Sequence, residues 1–104
     1  MSGIRLYLWP EAEEDFAAGA AWYESKAEGL ASDFGREIDI ALQKLILNPT
    51  QFPIQDKSLQ IRRVLVARFP YKIFFVVRPQ QIDICAILHS RQDDWMVKQR
   101  IKNP

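Results

Sequence analysis

Residues 61–91, IRRVLVARFPYKIFFVVRPQQIDICAILHSR, decide how this chain folds. Their β-branched and aromatic residues favour a pleated backbone. Strands are predicted over 61–69, 72–78 and 81–88. The turn between the last two falls at Pro79 and Gln80, short enough for an antiparallel hairpin. The unbroken apolar runs IFFVV and IDICAIL predict a sheet covered on both faces, because a half-exposed strand would alternate apolar with polar residues.

Upstream, TQFPIQDKSLQ (50–60) reads as a polar, proline-containing connection. Before it lie two helical patterns. Pro10 suits the first position of a helix, and Glu11, Glu13, Glu14 and Asp15 place negative charge where the helix dipole favours it. Ala12, Phe16, Ala20, Tyr23 and Ala27 then recur at helical spacing until Gly29 interrupts them. A second stripe, Leu30, Phe34, Ile38, Ala41, Leu42 and Leu45, ends at Asn48 and Pro49. So short a turn makes the two helices an antiparallel hairpin. Trp22 and Ile40 fall off both stripes. They are expected to pack along the hairpin's second seam; exposed, they would instead belong to a partner-binding patch.

The remaining segments are short. IRLYLW (4–9) is a first strand ending at Pro10, and DDWMVKQRIKNP (93–104) forms one short helix with Trp95 and Ile101 as anchors. The expected fold is therefore α+β, in the order β-α-α-β-β-β: an antiparallel sheet packed against an N-terminal helical hairpin, with a short C-terminal helix. A length of 104 residues fits a single domain, 1–104, with one core.

Charge divides the chain in two. The first 50 residues carry four lysines and arginines against nine acids, and residues 51–104 carry ten against four. The formal charge of +1 thus conceals an acidic half and a basic half, which is a cue for an anionic partner. No apolar run approaches the roughly 20 residues that span a bilayer, and the acidic start lacks the apolar core of a signal peptide, so the cytosol is the expected location and no membrane partner is expected. Cys85 is the sole cysteine and sits in IDICAIL, where a thiol is expected to pack in the core.

There is no phosphate-binding glycine loop, no Cys or His cluster for a metal, and no Ser or Cys nucleophile motif with a histidine at recognisable spacing. No cofactor or metal is expected. What remains is Arg62, Arg63, Arg68, Tyr71, Arg78, His89 and Arg91, on neighbouring strands or their ends. Alternation puts Arg62 and Arg68 on one face if no bulge intervenes, and Arg63 on the other with Leu65 and Phe69. His89 and Arg91 share a face if the backbone stays extended. Guanidinium groups grip phosphate or carboxylate, and an aromatic such as Tyr71 offers a plane for stacking, so the set fits a nucleic-acid backbone or an acidic peptide. The same arginines could equally be the solvated outer face and edge protection of a sheet.

These segments also carry a resemblance. PEAEEDFAAGAAWYE, GLASDFGREI, ALQKLILNPTQFP, IRRVLVARFPYKIFF and AILHSRQDDW, in this order, are similar to the toxins of bacterial type II toxin–antitoxin systems of the RelE/ParE superfamily, the plasmid stabilisation proteins. The resemblance implies a β-α-α-β-β-β core and a cognate antitoxin whose acidic, partly disordered tail folds around the toxin. The developed hairpin and the FPY and HSR segments look more like the ParE branch, which implies inhibition of DNA gyrase by binding. Contacts would then fall to Arg62, Arg63, Arg68, Arg78, Arg91 and Trp95. The alternative is a RelE-like endoribonuclease that cleaves mRNA on the ribosome. There His89 or Tyr71 would move protons while Arg62, Arg68 and Arg91 stabilise the charge that develops on the phosphate. Ribonuclease members tend to carry a catalytic side chain near the C terminus. Here QDDWMVKQR follows Arg91, with no tyrosine or histidine and with two acids that repel RNA.

Overall fold

The computed structural model describes residues 4–102, and every structural statement below concerns those residues. Asn103 and Pro104, the end of the tail expected to be helical, lie outside them. Helix α1 spans Pro10–Lys26, with Pro10 and the first-turn acids Glu11 and Glu13 at its start. Ala27 closes it by donating its N–H to the Tyr23 carbonyl. Gly29, at φ 88, turns the chain through a left-handed conformation suited to glycine, and α2 (Leu30–Leu47) follows at once. No side chain at Gly29 can cap α2, so Glu24 of α1 does so: its carboxylate accepts the N–H groups of Ala31 at 3.0 Å and Gly29 at 3.1 Å. Those backbone donors, Ala31 first, hold the Glu24 carboxyl below its usual pKa.

The sheet is built from β1 (Arg5–Leu8), β2 (Ile54–Asp56), β3 (Ile61–Leu65), β4 (Tyr71–Val77) and β5 (Gln81–His89), in the spatial order β1-β5-β4-β3-β2. The pairs β2/β3, β3/β4 and β4/β5 are antiparallel. The first strand departs from the antiparallel expectation: β1 adds to β5 in parallel, from Arg5 opposite Gln81 to Leu8 opposite Ile84. In this place β1 covers the outer edge of the most buried strand, whose backbone groups would otherwise lack partners. Helix α3 (Trp95–Lys102) lies on the face opposite the hairpin.

Both sheet faces are covered, as the apolar runs predict. Between the hairpin and the sheet lie Ala12, Phe34, Ile38, Leu45, Ile73, Phe75, Ile82, Ile84 and Ile87. Phe16 stacks on Phe34 at 5.5 Å, and the edge of Tyr23 meets Phe69 at 4.9 Å. Under α3 lie Ile61, Phe74, Val76, Cys85, Ala86, Leu88 and Val97. Burial, with Asp83 adding to it, pushes the Cys85 thiol up to about 12, in keeping with an inert core residue.

One irregularity in β5 positions the site. Phe74 pairs with Ala86 but Phe75 pairs with Ile84, so Cys85 is an extra residue opposite no partner. Such a bulge shifts the alternation of side chains by one. Ile82 and Ile84 face the hairpin, and past the bulge Ile87 and His89 do so too. Without it, His89 would point to the α3 side.

Several expectations are corrected. Trp22 and Ile40 do not fill a second hairpin seam; they are 56% and 40% exposed. The stripes already bury enough of each helix, and a pair of helices on a sheet leaves their outer faces to solvent. Ala27 is an exposed cap, outside the core stripe. The connection 50–60 contains a 3-10 turn (Pro49–Gln51 begins it) and the edge strand β2, a strand too short to leave a period. β3 ends at Leu65, not Phe69, because Arg68 takes a positive φ of 70 and turns the chain into β4. Arg62 and Arg68 therefore share no strand face. The chain also turns after β5, where Gln92 donates its N–H to the His89 carbonyl, so His89 and Arg91 are not on one extended strand. Finally, Trp95 is 60% exposed and Val97 is the buried anchor of α3, with Met96 and Ile101 packed beside it.

Candidate functional site: a cleft beside Tyr71 and His89

The seven-residue sequence cluster separates in three dimensions. Arg62 donates through Nη1 to the carbonyls of Phe52 at 2.6 Å and Thr50 at 3.2 Å, pinning the connection to the sheet. Arg68 turns to α2, with Nη1 3.3 Å from Glu37 and Nη2 3.9 Å from Asp33. Arg78 pairs with Asp83 across the β4–β5 turn at 3.3 Å. Arg63 lies at the other side of the sheet, in a cleft with Lys44, Phe52 and Leu65. Arg62, Arg68 and Arg78 are thus separate fixtures of the fold, and Arg63 lies apart from all three.

Tyr71 and His89 do come together. They are directly opposed on β4 and β5, on the hairpin side, with ring centroids 5.4 Å apart at 74°. The His89 Nδ1 accepts the N–H of Arg91 at 3.1 Å, which directs its Nε2 outward. The Gln92 Oε1 accepts the N–H of His89 at 2.9 Å. Arg91 itself is exposed and makes no ion pair among the described residues. Trp95 follows closely, its N–H held by Asp93 at 2.9 Å.

Tyr71, His89, Gln92 and Ile87 border a cleft of about 340 Å³ whose other wall is one ridge of α1: Asp15, Ala18, Gly19 and Trp22. Gly19 allows the close approach. A Cβ there would meet the Tyr71 hydroxyl at 3.0 Å and the Phe34 ring at 3.1 Å. Burial raises the Tyr71 phenol above its ordinary pKa, with Tyr23 and the Asp15 carboxylate adding to the shift, so the group stays protonated at neutral pH. At the deep end Asp15 is fully engaged: Arg100 of α3 reaches its two oxygens at 2.7 and 2.9 Å, and the Ile87 N–H donates to it at 3.0 Å. Lys26 caps the Trp22 end, 4.8 Å above the indole ring.

Chemically, the cleft offers an apolar wall, two polar rings and the Gln92 amide. A phosphoryl-transfer site needs several cations converging where charge develops. None of the expected arginines lines this cleft, and a carboxylate, Asp15, does.

A family model for the ParE toxin of the type II toxin–antitoxin system parDE matches residues 6–94. The chain belongs to this family. As a ParE-family toxin it is a component of a type II toxin–antitoxin system. Its fold is also similar to a solved chain of the chromosomal ParDE TA system from P. aeruginosa, with a TM-score of 0.71 and 20% sequence identity over 83% of this chain and 95% of that chain. That likeness speaks for the architecture alone. No curated protein matches the chain in sequence.

Sequence reasoning misses part of this candidate cleft. Asp15 reads as one more helix-start acid, yet its partner Arg100 lies 85 residues away and no local pattern links them. Gly19 and Gln92 carry no motif. Trp22 did carry a signal, since a tryptophan off the apolar stripe is a candidate for the surface. Lys72, which bonds Asp94 at 2.8 Å, shows that one of the acids expected to repel RNA is tied to the fold. No helix of the described residues is long and apolar enough to cross a membrane.

Proposed function

We propose that this ParE-family toxin acts by binding DNA gyrase in the cytoplasm and inhibiting it, without cleaving RNA, and that a cognate antitoxin with an acidic, partly disordered tail neutralises it. The observation that carries this reading is the fate of the cations. Arg62 is spent on backbone carbonyls, and Arg68, Lys72, Arg78 and Arg100 on the protein's own carboxylates. Trp22 at the cleft, and Arg91 and Trp95 in the segment that follows β5, are left exposed, and they are of the residue types that dominate protein–protein binding energy. Contacts with the target fall to these three side chains.

A ribonuclease would need a base and a phosphate clamp together. Tyr71 is a protonated phenol, His89 Nδ1 is already engaged, and none of the expected arginines lines the cleft. A binding mechanism asks for none of these. Supercoiling by purified gyrase, titrated with the toxin, tests the reading. Inhibition near stoichiometry that weakens at least tenfold in Trp22→Ala or Arg91→Ala supports it. Undiminished supercoiling at excess toxin, or new 2′,3′-cyclic phosphate ends on ribosome-bound mRNA, refutes it.

A further inference from the structure

The cleft beside Tyr71 and His89 carries three polar groups that the fold leaves unused. The Gln92 Oε1 accepts the His89 N–H, so the Gln92 amide nitrogen is left without a partner among the described residues. His89 Nδ1 accepts from Arg91, which places the proton of the neutral imidazole on Nε2, and that N–H has no acceptor among the described residues. The Tyr71 hydroxyl, able both to donate and to accept, makes no hydrogen bond to a described residue either. Tyr71 and His89 are cross-strand partners and Gln92 is bonded to His89, so the three groups lie together on one side of the cleft.

The opposite wall is of another kind. Ala18, Gly19 and Trp22, on one ridge of α1, offer a methyl group, bare backbone and an indole, and Ile87 adds apolar surface. A wall of this composition packs against a flat apolar body. The volume of about 340 Å³ is that of a small-molecule site in which a few convergent polar groups fix the orientation.

Charge narrows the class of ligand. No lysine or arginine lines the cleft, while Asp15 does, clasped from α3 by Arg100. The Asp15 charge reaches the Tyr71 hydroxyl, where it helps to raise the phenol's pKa, so an anion placed there would be repelled. A cation gains little: Arg100 already neutralises Asp15, and the N–H groups of His89 and Gln92 would face it with their positive ends. A neutral group that accepts and donates in one plane fits both conditions.

We propose that this cleft binds a small, neutral, planar ligand, an aromatic ring bearing a carboxamide. The ring lies against Ala18 and Trp22. The carbonyl oxygen accepts from His89 Nε2 and the Gln92 amide, and the ligand's N–H donates to the Tyr71 oxygen. A ligand lacking the acceptor would leave the two donors desolvated and unpaired, which is the source of discrimination. The assignment does not depend on the gyrase reading.

Benzamide, benzoate and benzamidine share one shape and differ in charge and in donors and acceptors. Titrated into the full chain and followed by amide and indole NMR, benzamide should give saturable shifts at Gly19, the Trp22 indole, His89 and Gln92, with a Kd in the millimolar range proper to so small a ligand. Benzoate and benzamidine should each bind at least about tenfold more weakly. Tyr71→Phe removes the unused hydroxyl. Gln92→Glu keeps the acceptor for the His89 N–H and removes the donor. Each should weaken benzamide about three- to tenfold. No saturable shift with benzamide, shifts confined to other surfaces, benzoate or benzamidine binding as tightly as benzamide, or undiminished binding in both variants overturns the assignment.

Discussion

Arg100 clasps Asp15 with both guanidinium nitrogens, at 2.7 and 2.9 Å, and so ties the last helix to the first. The same guanidinium donates to the Cys85 carbonyl at 3.0 Å, next to the bulge that turns His89 toward the cleft. Both partners are largely buried, which makes the pair costly to break from one side. Arg100→Ala should destabilise the protein by about 3 kcal/mol, since a buried carboxylate is left without its counter-charge. Urea denaturation measures it, and D15N/R100M should lose less than R100A because no lone charge remains.

Arg62 and Arg91 are alike in sequence and opposite in structure. Arg62 satisfies the carbonyls of Phe52 and Thr50, so Arg62→Ala should cost about 1–3 kcal/mol of stability. Arg91 uses only its backbone N–H, so Arg91→Ala should change stability by less than about 0.5 kcal/mol. Its loss should appear in gyrase inhibition instead. Melting curves and supercoiling assays on the same two variants separate the structural arginine from the one proposed to contact the target.

Gly19→Ala pits two effects against each other. Alanine improves helix propensity by about 1 kcal/mol. The added Cβ would press on the Tyr71 hydroxyl and the Phe34 ring, and such overpacking costs about 1–3 kcal/mol. Phe34 is fully buried and cannot move aside, so a net loss is expected. Tyr71→Phe in the Gly19→Ala background should recover part of it, which a double-mutant cycle by thermal denaturation reads directly.

Acid should weaken the fold through Asp56. The Ser58 hydroxyl, then Lys98 of α3, then the Leu59 N–H hold its carboxyl well below the usual carboxylate range. A depressed folded-state pKa means that the unfolded chain binds the proton more readily. The stabilisation is therefore complete above an unfolded pKa of about 3.9 and fades as pH falls below it. Between pH 7 and pH 3 the urea midpoint of Asp56→Asn should fall less than that of the wild type.

The sequence carries the parts of the fold that repeat. The two helical stripes, the Gly29 break and the apolar runs of β4 and β5 mark themselves by period and composition, so α1, α2 and the β4–β5 hairpin stand where expected. Features resting on one residue or one distant partner do not repeat and leave no pattern. The Cys85 bulge hides inside IDICAIL, where an apolar residue suits whichever face it takes. The positive φ of Arg68 ends β3 at a residue type that gives no warning. For the candidate site, Tyr71 and His89 were legible as residue types near strand ends. Their meeting depended on the bulge, and the opposing wall depended on how α1 settles on the sheet. The arginines looked like one cationic surface because the acids that engage them, Glu37, Asp33 and Asp15, come from the other half of the chain.

Gyrase supercoiling in the presence of the purified toxin bears most directly on the proposed action. Inhibition at near-stoichiometric toxin, lost by about tenfold or more when Trp22 or Arg91 is replaced by alanine and accompanied by intact ribosome-bound mRNA, is the expected result, corresponding to a single binding hot spot of roughly 1.4 kcal/mol or more. Full supercoiling activity at a large excess of toxin would contradict it.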